Sequence, residues 1–174
     1  MTGFSKQASE LGIVTAAGGD VRGLVDGDFL VNQSRVFTLG GGGILLWSSH
    51  GNIDAGRGAK SAAATPPPRL VLRGDQFVLD TSRSISGSGI GVLLSRPDIP
   101  PGDVDLIAPN GEVNAGDAGI RSAGNLTIAA PRVVGADNIQ VGGVSTGVPV
   151  TSTAVSGSLA GAAAAGSTAT KAAA

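Results

Sequence analysis

The sequence predicts an all-β fold of the β-solenoid type, in which one short unit is repeated along the chain. The strongest observation is an echo sixty residues apart: HGNIDAG at 50–56 recurs as NGEVNAG at 110–116, and the preceding ILLW aligns with VDLI. A looser copy follows at an offset of 22, where NLTI at 125–128 repeats DVDL at 103–106. Offsets of about twenty and three times twenty, with short strands separated by Gly and Asn, are typical of stacked coils.

The composition fits a narrow, repetitive core better than a layered one. Of the 174 residues, 29 are Gly, and aromatic residues make up only 3%. A layered α/β or α+β core depends on more large side chains than this. A solenoid coil is instead filled by Val, Ile, Leu and Ala that stack on the same residues of the next coil.

The apolar pattern divides the chain into three parts. Residues 1–19 are expected to be a lead-in or a partial first coil, and residues 20–149 a solenoid module of about six coils. Residues 150–174 are rich in Ala, Ser, Gly and Thr and are predicted to be a disordered, flexible tail, because they bury too little to order themselves. The expected strands carry apolar residues at i and i+2 and lie at 29–31, 36–39, 44–47, 70–72, 77–79, 90–94, 104–106, around 113, at 126–128, around 133 and at 139–141.

Two proline-rich excursions interrupt the module. Residues 57–69 contain three consecutive prolines at 66–68. Since proline has no backbone N–H to give to a ladder, this stretch is predicted to bulge outward as a loop. Residues 96–102 (RPDIPPG) form the second excursion and lead into the most regular strands.

Charge, cysteine content and hydropathy exclude several classes of protein. The 12 basic and 13 acidic residues give a net charge of -1, so the chain lacks the electrostatic footprint of a nucleic-acid-binding protein. It contains no Cys, which excludes disulfides and thiolate metal sites, and neither a metal nor a small-molecule cofactor is predicted. The first residues lack the apolar segment of a signal peptide, and no apolar run is long enough to span a membrane. The chain is therefore expected to be a piece of a longer precursor.

Several stretches of the module resemble the filamentous haemagglutinin family of bacterial exoproteins. They are residues 25–42 (VDGDFLVNQSRVFTLGGG), 44–49 (ILLWSS), 54–58 (DAGRG) and 136–144 (ADNIQVGGV). The resemblance is closest to a module near the C-terminus of very large members of the family. It extends over roughly residues 20–149 and includes both excursions.

This resemblance implies a fold, a route of export and a role. It implies a right-handed parallel β-helix, secreted across the outer membrane by a partner pore protein in two-partner secretion and located at the bacterial cell surface. It also implies a structural or adhesive segment without enzymatic activity. The expected partners of the full-length protein are the secretion pore and a host-cell or surface receptor, with a glycan among the candidates. Adhesion and surface signalling both remain open as the physiological output.

Two places in the sequence are candidates for an adhesive contact. Arg73-Gly74-Asp75 spells an integrin-recognition tripeptide, although a Gly between two strands also serves simply to turn the chain. Leu45 and Trp47 are expected to face outward, because Ile44 and Leu46 occupy the inward positions of their strand. An exposed Trp beside a Leu is typical of a contact patch. The alternative, which we favour, is that the loop carrying the three prolines folds back and covers them.

A carbohydrate-active β-helix enzyme, a polysaccharide lyase or hydrolase, is the rival interpretation. Asp103 and Asp105, like Asp26 and Asp28, are spaced to share one strand face beside a sugar, but no second pair lies one coil away. His50 is the only His and occupies a turn position, so no triad with a histidine base can form within this chain. We therefore predict no catalytic residues. Acidic and basic residues clustered on one outer sheet face would favour the enzyme, whereas scattered, turn-bound aspartates would exclude it.

Overall fold

The computed structural model describes residues 11–60, 69–80, 87–95 and 97–149, and within these ranges the chain is all-β apart from a 3-10 turn at Ala136–Asn138. The strands are β1 (Gly12–Thr15), β2 (Val21–Val25), β3 (Phe29–Leu30), β4 (Arg35–Thr38), β5 (Ile44–Ser48), β6 (Ile53–Asp54), β7 (Arg69–Arg73), β8 (Gln76–Asp80), β9 (Gly89–Val92), β10 (Val104–Ile107), β11 (Glu112–Asn114), β12 (Ile120–Ser122), β13 (Leu126–Ala129), β14 (Arg132–Val134), β15 (Ile139–Val141) and β16 (Ser145–Thr146). The residues expected to form the flexible tail, and those expected to form the triple-proline loop tip, lie outside the described ranges. No helix in the described ranges has the length and apolar character of a membrane span.

Fourteen of these strands form three parallel sheets. In the first sheet the order of neighbouring strands is β1-β4-β9-β12-β15, in the second it is β2-β5-β10-β13-β16, and in the third it is β3-β6-β11-β14. The chain visits the first, second and third sheets in turn and then begins again; we call each such passage a round. The described residues contain four complete rounds and two strands of a fifth, fewer than the expected six. The predicted all-β fold with parallel pairing is confirmed, and this order of strands is compatible with a β-solenoid.

The two copies of the repeated heptapeptide lie directly on top of each other. Val104 pairs with Ile44 in the second sheet, and Val113 pairs with Ile53 in the third. Elsewhere in the second sheet, paired residues are 23 positions apart (Val21 and Ile44), 22 apart (Val104 and Leu126) or 19 apart (Leu126 and Ser145). The offset of sixty therefore contains one round and a long inserted segment, and it does not contain two further rounds.

Alternation along the strands places one row of apolar side chains in a shared core between the sheets. Leu46 in β5 and Leu106 in β10 pair with each other and are both 0% exposed. Ile128 continues the same row in β13 and is 4% exposed. Stacking like residues in successive rounds fills the narrow interior without large aromatic side chains, as the composition predicts.

The inserted segment contains an antiparallel hairpin, so the expected coil strands at 70–72 and 77–79 are wrong. Strands β7 and β8 pair with each other, with Arg73 opposite Gln76, and they belong to none of the three parallel sheets. The start and the end of the inserted segment contact each other. Ser88 donates its backbone N–H to the Ala59 carbonyl oxygen at 2.7 Å and forms a parallel bridge with Lys60. The excursion therefore leaves and rejoins the rounds at one point, between the third and first sheets.

Candidate functional site

The corner that precedes the second sheet is held by side chains that accept backbone N–H groups from the next round. Asp20 Oδ1 accepts from the Gly43 N–H at 2.9 Å, and Asp103 Oδ1 accepts from the Asn125 N–H at 2.8 Å. Asn125 Oδ1 in turn accepts from the Val144 N–H at 2.9 Å. Short carboxylate and amide side chains are suited to this task because they bond to nearby backbone in place of a regular ladder.

A second column of the same kind holds the corner before the third sheet. Asp28 Oδ1 accepts from the Asn52 backbone N–H at 2.8 Å, and Asn52 Oδ1 accepts from the Glu112 N–H at 2.8 Å. The Glu112 carboxylate lies 3.6 Å from the Arg132 guanidinium in the following round. Residues of four successive rounds are thereby joined through their side chains.

Asn52→Ala tests the contribution of the second column. The change removes the acceptor for the Glu112 N–H and the amide that donates to Asp28 at 3.2 Å. We expect the free energy of unfolding to fall by about 1–2 kcal/mol, since each lost hydrogen bond costs roughly 1 kcal/mol. Urea denaturation followed by circular dichroism measures it. Thr127→Ala, at an exposed position in β13, is the control and should change stability by less than about 0.5 kcal/mol; equal effects would refute a stabilising role for the column.

These columns account for two of the four aspartates that motivated the enzyme interpretation. Asp28 and Asp103 each bind a backbone N–H at a corner. Asp26 lies 2.7 Å from the Nδ1 of His50, with both side chains largely exposed. Asp105 lies on the outer face of the second sheet, paired with Leu45 in the neighbouring strand. Three of the four acidic side chains thus lie at turns, engaged in local contacts.

The outer face of the second sheet carries an apolar stripe that crosses three rounds. Trp47 pairs with Leu24 on one side and with Ile107 on the other, and in a parallel sheet such partners lie about 4.8 Å apart. Leu24 is 73% exposed and Trp47 is 37% exposed. The Trp47 Nε1–H donates to Ser49 Oγ at 3.2 Å, which orients the indole. Ile107 is half-buried, and we call the row of Leu24, Trp47 and Ile107 the apolar stripe.

A notch of about 200 Å³ lies beside this stripe on the same face. Gly43 has no side chain to fill the corner between Asp20 and Asp103, and the notch opens above it. Arg22, which lies 3.6 Å from Asp20, and Asp105 line its walls. Half-buried Leu45 separates the notch from Trp47. The second sheet therefore presents apolar and polar groups side by side.

The first sheet differs from the second, because the middle of its outer face is buried, whereas Val14 and Gln140 at its two edges are exposed. Phe37 points away from the main core, yet it is 0% exposed and packs in a separate cluster with Leu39 and Leu93. Arg121 in the same outward row is only 5% exposed, and burial lowers the pKa of its guanidinium. A cavity of about 320 Å³ lies between Arg121 and Leu94. Phe37 and Arg121 are therefore buried too deeply to contact a large partner.

The Arg73-Gly74-Asp75 tripeptide lies at the tip of the β7–β8 hairpin. Gly74 and Asp75 form its two-residue turn, and Gly74 has a φ of 65°, which favours glycine at the first turn position. Asp75 is exposed. Leu72 and Phe77, which pair across the strands just below the turn, are 62% and 74% exposed. Gly74 and Asp75 are thus accessible, and the glycine also has a purely structural reason to be there.

Sequence reasoning named Leu45 and Trp47 but missed Leu24 and Ile107. Ile107 could have been found, because the offset of sixty that aligns ILLW with VDLI places it opposite Trp47. The expected cover for Trp47, residues 66–68, lies outside the described ranges, and Trp47 keeps 37% of its surface exposed. The structure does not bring the hairpin tripeptide and the stripe together on one strand or sheet.

Comparison with known proteins supports the resemblance found in the sequence. A family model described as filamentous haemagglutinin family outer membrane protein matches residues 41–150, more than half of the chain. Neither the curated proteins nor the solved structures contain a significant match. The matched range contains the second and third sheets from β5 and β6 onward, together with both excursions. The chain therefore belongs to the filamentous haemagglutinin family, whose name points to the outer membrane as its location.

Proposed function

We propose that this chain is a structural and adhesive segment of a large, secreted bacterial surface exoprotein. In this proposal the three sheets close into a right-handed parallel β-helix, and a partner pore in the outer membrane exports the full-length protein by two-partner secretion. Family membership supports the surface location. The parallel, in-register pairing of successive rounds supports the helix, because each round then satisfies the backbone groups of its neighbours.

The apolar stripe is the observation that carries the adhesive role. Soluble surfaces rarely expose large apolar side chains in contiguous rows unless they contact a partner. Leu24, Trp47 and Ile107 form such a row on a face that carries polar groups at its edge. The proposed partner is a receptor on host cells or other surfaces. A glycan suits this face, since an indole packs against a sugar ring while nearby carboxylates and guanidinium groups bond to hydroxyls.

We propose that contact occurs without catalysis. Asp28 and Asp103 are engaged by backbone N–H groups, which supports a structural role for them. The notch with Asp105 and Arg22 is the one feature that favours the alternative, a polysaccharide lyase or hydrolase. Incubating the full chain with acidic and neutral polysaccharides, and measuring new reducing ends and unsaturated products, separates the two. Turnover that is lost in Asp105→Asn would overturn the non-enzymatic proposal.

Trp47→Ala tests the adhesive proposal. Beads coated with the full chain should bind cultured epithelial cells and erythrocytes, and we expect Trp47→Ala to reduce the number of bound beads at least fivefold. The reason is that aromatic side chains at the centre of a contact carry most of its binding energy. Thr127→Ala, on the same outer face but outside the stripe, should bind as well as the unaltered chain.

Asp75→Glu is the second arm of this experiment and examines the hairpin tripeptide. The change keeps the charge but lengthens the side chain, so an integrin-type contact would be lost while the hairpin turn remains. Loss of binding in this variant alone would transfer the adhesive contact from the stripe to the hairpin. Unchanged binding in both Trp47→Ala and Asp75→Glu would refute an adhesive role for the apolar stripe and for the hairpin tripeptide.

A further inference from the structure

The indole of Trp47 is held by a residue that lies two positions further along the chain. Its Nε1–H donates to Ser49 Oγ at 3.2 Å. An indole has this one donor and no acceptor. Because the donor is already bonded to Ser49, Trp47 offers only apolar ring surface to a partner.

Ser49 is in turn held by the rounds on both sides of it. Its backbone N–H donates to the Val25 carbonyl oxygen of the preceding round at 3.0 Å. Its own carbonyl oxygen accepts from Asn110 Nδ2 of the following round at 2.8 Å. Ser49 is the first residue after β5, so these two hydrogen bonds fix the backbone that carries the hydroxyl group.

Asn110 is placed by a turn between β10 and β11. The Gly111 backbone N–H donates to the Ala108 carbonyl oxygen at 3.2 Å, so residues 108–111 form a β-turn with Asn110 at the third position. Pro109 at the second position restricts φ and makes the turn stiffer. The amide of Asn110 therefore reaches the preceding round from a defined place.

We infer that Ser49 and Asn110 are positioning residues for the contact assigned to Trp47. The inference rests on the proposed adhesive function and adds that the indole is held in place before a partner arrives. Fixing a side chain in advance removes part of the entropy cost of ordering it on binding. Trp47 is the middle member of the apolar stripe, between two aliphatic side chains, and aromatic side chains at the centre of a contact carry most of its binding energy.

Trp47 fluorescence measures the positioning directly, because the chain has one Trp. In time-resolved anisotropy of the full chain, Ser49→Ala should increase the amplitude of the sub-nanosecond component at least twofold, since the indole loses its hydrogen bond. Asn110→Ala should change the amplitude in the same direction. Ser49→Thr keeps a hydroxyl group and should give the amplitude of the unaltered chain.

Asn52→Ala is the control for general loosening of the stack. It removes the acceptor for the Glu112 N–H at a neighbouring corner and leaves the hydrogen bonds of Ser49 in place. If Asn52→Ala released the indole as much as Asn110→Ala does, the role assigned to Asn110 would be overturned. Circular dichroism on the same samples verifies that each variant is folded.

Binding of coated beads to cells connects the positioning with the contact. Ser49→Ala should reduce the number of bound beads at least twofold, and Ser49→Thr should bind like the unaltered chain. A Ser49→Ala variant whose anisotropy or binding equals that of the unaltered chain would overturn the inference. If Trp47→Ala loses binding in that case, the adhesive proposal stands and only the inference fails. If Trp47→Ala binds normally, the contact at Trp47 fails and the inference fails with it.

Discussion

Gly56→Ala is expected to lower the free energy of unfolding more than the other variants proposed for this chain. Gly56 has a φ of 93°, and a Cβ added there would overlap the backbone carbonyl of Asn32 in the preceding round. The rigid backbone of two stacked rounds would have to separate to make room. Adding this clash to the cost of a left-handed conformation, we expect the free energy of unfolding to fall by about 3–5 kcal/mol. Urea denaturation followed by circular dichroism would measure the loss.

Gly27→Ala is the matched control for that change. Gly27 is an exposed turn residue, and a Cβ there would meet nothing within 4 Å. The substitution should leave stability unchanged or raise it by up to about 1 kcal/mol, because Ala restricts the unfolded chain more than Gly does. If both variants lost stability equally, close approach between rounds would not be the reason for glycine at position 56.

Leu106→Ala has the second-largest expected effect, and here the cause is a cavity. Leu106 is 0% exposed and stacks between Leu46 and Ile128 of the rounds on either side. Truncating Leu106 removes contacts to two neighbouring rounds at once. Because the backbones of both rounds are held by strand pairing, they cannot easily move in to fill the cavity. We expect a loss of about 2–5 kcal/mol in the free energy of unfolding. A thermal melt of the full chain should show a correspondingly lower Tm.

Asp105→Ala provides the comparison on the same strand. Asp105 is one residue away but points outward from the second sheet, so its removal leaves the core intact. Its effect should remain within about 0.5 kcal/mol. Similar losses in the two variants would contradict the assignment of inward and outward positions along β10.

The sequence carried most of the information about the parallel sheets, because alternation and stacking both leave a period. It could not reveal how far apart the two heptapeptide copies lie in space. Adjacent rounds with an insertion, or rounds separated by two others, place residues 50–56 and 110–116 at the same corner. Only the pairing of Ile53 with Val113 distinguishes them. This ambiguity explains why about six coils were expected.

The hairpin was misassigned for a related reason. Residues 70–72 and 77–79 alternate like the strands of a round, and alternation reports only that one face is apolar. The sequence does contain a pattern that distinguishes a hairpin from the strands of a round. Two apolar runs separated by a short Gly-containing turn are typical of an antiparallel hairpin. Gly74 and Asp75 form that turn. The three prolines lie outside the described ranges, and the end of the inserted segment depends on a contact between Ala59 and Ser88 that no local pattern encodes.

Only part of the candidate surface could be predicted from the sequence. Strand alternation sufficed to expect Leu45 and Trp47 on the outside. The same rule would have placed Phe37 on the outside of the first sheet, where it is instead fully buried in a separate cluster. Whether an outward side chain stays exposed depends on tertiary packing, here the packing of Phe37 with Leu39 and Leu93.

The direction of the ladders has a mechanical consequence. The hydrogen bonds between rounds point along the stacking direction, from Val104 to Leu126 and onward. A force that pulls the two ends of the stack apart therefore acts on the hydrogen bonds of one round at a time, and the rounds separate in sequence. A released round of 22 residues, such as the one between Val104 and Leu126, would add about 70 Å of extended chain. A tethered molecule of this design would yield in steps under tension and absorb work at each step, while its remaining rounds stay paired.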